Sequence, residues 1–222
     1  LDLSVIRYLG GEDFKVEDNS GNAYLGGNDI DDVLLQLTLD KLETDFGVVV
    51  DFSKPNMSKK LTQLRFLCED IKIAVNDKVT DDDNSYQSFL EKNKTHNYEI
   101  SVEEIVANSD NNIISLDFKI VTEAFMNCLR NAIKPLHCIT SKPGQRIDEL
   151  KHVLLVGGSS KLLAFRQLLY REGFKKSQFE QVDPMTCVAQ GAYLLAEMFN
   201  DPRNRLFVTE KIAISYGLKS KD

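Results

Sequence analysis

One stretch decides the expected fold of this chain: His152-Val153-Leu154-Leu155-Val156-Gly157-Gly158-Ser159-Ser160-Lys161. Its apolar, branched first half predicts a buried strand. Two glycines interrupt that pattern, and residues 162–170 continue at helical spacing. A strand, a Gly-Gly-Ser turn and a helix can hold a phosphate, because glycines let backbone N–H groups approach an anion and a helix N-terminus attracts negative charge. The same pattern is also typical of a tight turn that binds nothing.

Composition narrows the class of protein. The chain has 222 residues, 42% of them hydrophobic, which is enough for one large domain or two small ones. Its net charge of −7 argues against nucleic acid as a partner. No apolar run reaches the ~20 residues that span a bilayer, so no membrane partner is expected. Because the chain begins with Leu1 rather than methionine, we expect a piece of a longer protein.

The cysteines indicate the compartment. None of the four shares a Cys-x-x-Cys spacing, which argues against both zinc and a disulfide framework. They are Cys68, Cys128, Cys138 and Cys187. A reducing, cytoplasmic location is therefore expected, with the endoplasmic reticulum as the alternative.

Periodicity and turn residues predict the elements along the chain. The predicted strands are an opening meander over 1–25, a hairpin of 98–102 and 113–116 with its turn at 108–111, and single strands at 179–182 and 213–218. The predicted helices are 28–46, capped by Asn28 or Asp29, then 57–75, 118–133, 162–170 and 185–199. An exposed acidic loop is expected between 76 and 97, with a short turn at 86–90.

Three helices have faces that are expected to pack. The first predicted helix has an apolar stripe of Ile30, Val33, Leu34, Leu37 and Leu42. The second has Leu61, Leu64, Leu67, Cys68, Ile71 and Val75. In the last helix, the small residues Ala189, Gly191 and Ala192 permit close packing.

Five motifs in chain order resemble the heat shock protein 70 (DnaK-type) chaperone family. The first is Leu-Asp-Leu-Ser-Val-Ile from Leu1, and the second is Leu-Gly-Gly-Asn-Asp-Ile-Asp from Leu25. The third is Cys-Glu-Asp-Ile-Lys from Cys68, and the fourth is Val-Leu-Leu-Val-Gly-Gly-Ser-Ser-Lys from Val153. The fifth begins with Asp-Pro at Asp183 and ends with Gly-Ala. Together they resemble the second lobe of that family's ATPase domain, followed by its interdomain linker.

The resemblance implies an α/β fold: an actin-like, ribonuclease H-like ATPase lobe with a mixed sheet flanked by helices and a smaller α+β outer subdomain. It implies an inner subdomain at 1–27 and 118–204 and an outer subdomain at 28–117. It also implies an acidic insertion at 77–97, and the linker with the start of the next domain at 205–222. We expect the insertion either to modulate exchange-factor contact or to be a tolerated surface loop.

The resemblance also implies an ATP or ADP site. Glu69 and Lys72, three residues apart on one helix, would hydrogen-bond the ribose hydroxyls. Gly157 and Gly158 would offer backbone N–H groups to the phosphates, and Ser159 would border the nucleoside. No catalytic residue and no metal ligand is expected in this chain, and Mg²⁺ would be bound mainly through the first lobe.

The adenine end departs from the family pattern. Ser160 and Lys161 complete the implied cofactor-binding turn, but Lys161 replaces a stacking arginine and lacks its flat guanidinium. Ile73 replaces a second arginine and offers no cation–π attraction. Asn76 replaces a serine that reads the adenine edge, and Met185-Thr186 replaces an acidic pair. We therefore expect weaker nucleotide binding than in a typical member.

Two functional classes follow. The first is a working ATP-dependent chaperone that contacts a nucleotide exchange factor, a J-domain co-chaperone and, through another domain, unfolded client peptides. The second is a degenerate member that acts as a co-chaperone or exchange factor with little or no turnover. A sugar kinase of the same fold is a weaker third reading. This chain alone is expected not to hydrolyse ATP, because phosphoryl transfer needs the catalytic groups of both lobes.

Overall fold

The structure is a computed structural model that describes residues 1–11, 13–51, 53–77, 86–103, 105–106, 112–200 and 208–209. The chain divides into two compact units. The first unit comprises Leu1–Tyr24, Asn131–Gly158 and Glu172–Asp222, and the second comprises Leu25–Arg130 and Ser159–Arg171. Within the described ranges, no helix combines the length and the apolar character needed to cross a membrane.

Strands of the first unit form a small sheet in the order β1-β2-β5. Strand β1 (Asp2–Gly10) pairs antiparallel with β2 (Asp13–Gly21), and β5 (Val208–Thr209) pairs parallel with β2. The predicted antiparallel opening is thus confirmed for two strands. The third predicted strand is wrong, because residues 23 and 24 form a turn before the next helix.

Among its described residues, the α-helices of the first unit are α5 (Ile133–Thr140) and α7 (Cys187–Asn200), numbered by their order in the whole chain. Helix α5 packs on the β1–β2 hairpin. The loop after α5 is tied to the sheet by an ion pair between Lys142 and the buried Asp18. Helix α7 begins two residues later than predicted. The close packing expected from its small residues is not found, since none of its side chains is buried.

The buried strand predicted at 152–156 is also wrong. Among the described residues, this segment forms only one isolated β-bridge, between Val153 and Phe179. The strand predicted at 179–182 is therefore also wrong, since the same bridge is all that forms there. The side chains of Leu154 and Val156 are 59% and 51% exposed. A branched apolar run favours an extended backbone, but it is buried only where neighbouring strands and helices cover both of its faces.

The described residues of the second unit form five α-helices and a hairpin. The helices that precede the hairpin are α1 (Gly27–Phe46), α2 (Met57–Asp77) and α3 (Tyr86–Asn93), the last in place of the turn predicted at 86–90. The hairpin pairs β3 (Asn97–Ser101) with β4 (Ile113–Asp117) in antiparallel register, as predicted. Helices α4 (Phe118–Leu129) and α6 (Leu163–Arg171) complete the unit.

Local signals account for the helix boundaries in this unit. The Asp117 carboxylate accepts hydrogen bonds from the backbone N–H groups of Lys119 and Ile120, so it caps α4 directly after β4. Helix α4 ends at Leu129, four residues before the predicted end, and a 3₁₀ turn (Arg130–Ala132) follows. The N-cap of α1 is Gly26 rather than Asn28 or Asp29, although the Asp29 carboxylate accepts from the Gly26 N–H at 2.7 Å.

The core of the second unit is formed by α1 against α2, α4 and β4. The buried residues of α1 are Ile30, Asp31, Leu34, Thr38 and Leu42, so the predicted stripe is wrong at Val33 and Leu37, which are partly exposed. On α2, Leu64, Cys68, Ile71 and Val75 are buried, whereas Leu61 is half-buried and Leu67 is exposed. On both helices the buried residues recur at intervals of three or four positions, as expected for one face of an α-helix.

The observed division differs from the predicted subdomains. The second unit begins at Leu25, close to the predicted boundary, but it includes α4 and α6, whose residues were assigned to the inner subdomain. The predicted turn at 108–111, the strand at 213–218, residues 78–85 of the insertion and most of the predicted linker lie outside the described residues.

Candidate functional site

The ammonium of Lys72 is held by two contacts within the second unit. Helix α2 places its Nζ 2.7 Å from Oδ2 of Asp31 and 3.4 Å from the carbonyl oxygen of Gly27, both on α1. The Lys72 side chain is only 12% exposed and that of Asp31 only 8%. The ammonium donates to both oxygens, so its position over the first turn of α1 is fixed by two contacts.

Glu69 completes the charged group on α2. Its Oε1 lies 3.9 Å from Nζ of Lys72, which confirms the predicted proximity of the two residues on one helix face. The Glu69 side chain is 49% exposed, whereas the Asp31 side chain is buried. The ammonium therefore lies near one buried carboxylate and one solvent-accessible carboxylate.

Gly27 allows α1 to approach these side chains closely. A Cβ added at this position would lie 2.8 Å from Oγ of Ser159 and 3.4 Å from Nζ of Lys72. Real Cβ atoms are not found at the shorter distance, so any larger residue would displace Ser159. We refer to Gly27, Asp31, Glu69, Lys72 and Ser159 as the Lys72 cluster. All five residues belong to the second unit.

Ile73 and Asn76 follow Lys72 on α2. Ile73 is half exposed, at the position where the family pattern has an arginine. Asn76 lies in α2, but its side chain is outside the described part of the chain. The structure therefore brings together Glu69, Lys72 and Ser159 of the predicted site.

The glycine turn of the predicted phosphate site has its own geometry. Gly157 has a φ of +82°, which lies in the left-handed region that favours glycine. Its backbone N–H donates to the Pro184 carbonyl at 2.8 Å. A 3₁₀ turn (Gly158–Lys161) follows, and a Cβ on Gly158 would lie 3.3 Å from Sδ of Met185. Within this turn Ser160 is buried and Lys161 is exposed.

Burial shifts the titration of two side chains of the second unit, Cys68 and Tyr98. Burial raises the pKa of the Cys68 thiol to about 11, and the nearby Thr38 hydroxyl opposes that shift only in part. Burial likewise raises the pKa of Tyr98 to about 12. Both groups stay neutral at physiological pH. A neutral, buried thiol is a poor nucleophile, so Cys68 is a packing residue rather than a reactive one.

Sequence reasoning missed Asp31 and Gly27 as members of the cluster. The available signal was the helical row Gly27, Asp31, Leu34, Thr38 and Leu42, in which a carboxylate occupies an otherwise inward position. An acidic residue on a buried row requires a cation partner, because an unpaired charge in the interior is costly. No group of side chains that could hold a metal ion occurs among the described residues.

Comparisons with known proteins identify relatives of this chain. The sequence profile described as Hsp70 protein matches residues 1–222. The chain is 27% identical, over 86% of its length and 25% of the relative's, to a heat shock cognate HSP70 protein of Trypanosoma brucei brucei. It is 28% identical to a chaperone protein HscA homolog of Aliivibrio fischeri, over 99% of this chain and 30% of that protein.

A third relative is the chaperone protein DnaK of Mycoplasma mobile, which is 25% identical over 100% of this chain and 33% of its own length. The chain thus spans between a quarter and a third of the length of these relatives. Because the profile match extends over all 222 residues, the chain belongs to the Hsp70 protein family.

Proposed function

We propose that this chain is the nucleotide-binding lobe of an Hsp70-type chaperone and that its Lys72 cluster holds the ribose of ATP or ADP. Membership in the family implies an actin-like ATPase fold and a nucleotide of this kind. The observation that carries the proposal is the Lys72 ammonium, fixed by Asp31 and the Gly27 carbonyl beside the accessible carboxylate of Glu69.

The donor set fits a ribose. A ribose presents two neighbouring hydroxyls, each of which donates one hydrogen bond and accepts others. An ammonium supplies donors only and an ionised carboxylate supplies acceptors only, so Lys72 and Glu69 together complement that pair. The buried position of Nζ favours the contact, because hydrogen bonds to charged groups are stronger where water is partly excluded.

The phosphates are proposed to contact Gly157, Gly158, Ser159 and Ser160. The N–H of Gly157 is already directed at Pro184, so we propose that the donors come mainly from residues 158–160. We propose that Mg²⁺ accompanies the nucleotide and is held mainly by residues outside this chain.

The residues proposed to contact adenine support a reduced affinity for nucleotide. Ile73 and Met185 are both largely exposed apolar side chains at positions where the family pattern has charged residues. Lys161 replaces the arginine that stacks on adenine in the family pattern, and Asn76 replaces the serine that contacts the adenine edge. These changes favour the second candidate function, a co-chaperone or exchange factor that binds nucleotide weakly and turns it over slowly or not at all.

For the whole protein we propose the activity suggested by its relatives, two of which are described as chaperone proteins. That activity is assistance to protein folding, with a J-domain protein, an exchange factor and unfolded client peptides as partners. We propose a cytoplasmic location, with the endoplasmic reticulum as the alternative.

Calorimetric titration with ADP and ATP tests this proposal. Glu69→Ala is expected to abolish binding, whereas Asp70→Ala, an exposed acid beside it on α2, is the matched control and is expected to bind like the native chain. Ile73→Arg is expected to strengthen binding. Equal affinities for Glu69→Ala and Asp70→Ala would overturn the ribose assignment. Binding only by Ile73→Arg would favour the co-chaperone function.

A further inference from the structure

Asp31 has an incomplete set of hydrogen bonds for a buried carboxylate. Its Oδ2 accepts from Lys72, but its Oδ1 is buried and has no hydrogen-bond partner among the described residues. Buried carboxylates usually have both oxygens satisfied, and each exception requires an explanation. A buried ion pair with one orphan oxygen is also poorly suited to stabilising a fold, because apolar residues of similar size often serve as well or better.

Two acceptors on α1 contact the Lys72 ammonium. An ammonium has three N–H groups. Two of the Lys72 donors are directed at Asp31 and at the Gly27 carbonyl, and both acceptors lie on the first turns of α1. Glu69 lies near the same ammonium, but its Oε1 is 3.9 Å from Nζ, too far for a direct hydrogen bond.

We propose that Asp31 is a positioning residue for ribose recognition: its carboxylate fixes the Lys72 ammonium so that the third N–H is presented, together with the Glu69 carboxylate, to a ligand's pair of neighbouring hydroxyls. The inference rests on the proposed nucleotide binding and adds a residue to it. Asp31 acts through Lys72, since its own side chain is buried.

The test compares ADP with 2′,3′-dideoxy-ADP, which lacks both hydroxyls, by calorimetric titration of the full chain. The readout is the affinity for ADP divided by the affinity for 2′,3′-dideoxy-ADP. Asp31→Asn keeps the size of the side chain and removes its charge, and it is expected to lower the ratio about tenfold. Asp32→Asn is the matched control, because Asp32 is the next residue and is exposed in an ion pair with Arg65. It is expected to leave the ratio unchanged.

A double variant separates positioning from folding. Asp31→Leu combined with Lys72→Met replaces the ion pair by apolar side chains and is expected to unfold at a temperature no lower than the native chain, yet to lose the preference for ADP. In the absence of nucleotide, the Lys72 ammonium is expected to exchange its protons slowly in the native chain and rapidly in Asp31→Asn.

The outcomes are distinguishable. An unchanged affinity ratio in Asp31→Asn, or equal weakening of both nucleotides, would overturn the positioning role while loss of binding in Glu69→Ala still supports the proposed function. Fast ammonium exchange in the native chain would also overturn it. If the native chain binds neither nucleotide, both the inference and the proposed function fail.

Discussion

The Nζ of Lys72 lies 2.7 Å from Oδ2 of Asp31, although the two residues are 41 positions apart in the chain. The contact joins the last third of α2 to the first turns of α1, in the core of the second unit. Polar contacts buried at this depth require an exact alignment of the two helices. The same contact links the fold of this unit to its proposed ligand.

The Asp31–Lys72 pair is expected to be costly to break from one side. Lys72→Met leaves the Asp31 charge buried without its cation, so we expect the free energy of unfolding to fall by about 3 kcal/mol. The double variant Asp31→Leu, Lys72→Met is expected to recover all of that loss. Urea unfolding monitored by circular dichroism measures both. A single variant as stable as the native chain would show that the pair is not electrostatically coupled.

Gly27 is expected to tolerate no side chain. Gly27→Ala brings a Cβ to within 2.8 Å of the Ser159 Oγ, so we expect a loss of about 1–3 kcal/mol in unfolding free energy. Gly26→Ala is the matched control, since the nearest atom to its added Cβ is 3.8 Å away. Ser159→Ala in the Gly27→Ala background is expected to restore part of the stability, and additive effects in this double-mutant cycle would argue against direct contact.

Gly157 is expected to be required for its backbone conformation. Its φ of +82° is unfavourable for any residue with a Cβ, so Gly157→Ala is expected to cost about 1–2 kcal/mol. Gly158→Ala places its Cβ 3.3 Å from the flexible end of Met185, and we expect that side chain to move at lower cost. Thermal unfolding of the two variants compares them. A Gly157→Ala variant as stable as Gly158→Ala would contradict the left-handed geometry.

Burial of Cys68 predicts a loss of stability at alkaline pH. Its pKa is raised from 9.0 to about 11 in the folded chain, so the unfolded thiol ionises first as the pH rises. The stability is complete below pH 9 and falls between pH 9 and 11, by up to about 1.4 kcal/mol per pH unit from this group. Burial also raises the pKa of Cys128, which adds to the decline.

Variants isolate the contribution of Cys68. Unfolding free energies at pH 8, 9 and 10 are expected to decline less steeply for Cys68→Ala than for the native chain. Cys138→Ala is the control, because that thiol is exposed and its removal is expected to leave the decline unchanged. Measurements up to pH 10 precede the main titration of Tyr98, whose pKa is raised to about 12. Equal declines in all three proteins would show that Cys68 is accessible to solvent.

Much of the second unit could be predicted because its signals are local. Glycines before α1, the Asn56 turn before α2 and the alternation around Tyr98 predict these elements to within two residues of their observed bounds. The spacing of Glu69 and Lys72 also predicts their proximity, since residues three apart share a helix face.

The remaining features depend on contacts between distant residues. The helical row around Asp31 indicates its inward position, but its partner is a lysine 41 positions later, which no local pattern identifies. The exposure of Leu154 and Val156 likewise depends on which strands lie beside them, and a branched apolar run is the same whether or not such neighbours exist. Packing partners, rather than propensities, determined where the predictions were wrong.

Nuclear magnetic resonance of the ¹⁵N-labelled chain during titration with ADP tests the central claim most directly. We predict that the largest shifts occur at the Lys72 ammonium and at the backbone amides of Gly27, Glu69 and Ser159, and that the signals of the control surface around Lys41 and Asp45 on α1 do not move. Shifts confined to residues outside the Lys72 cluster, or no shifts at millimolar ADP, would contradict the account.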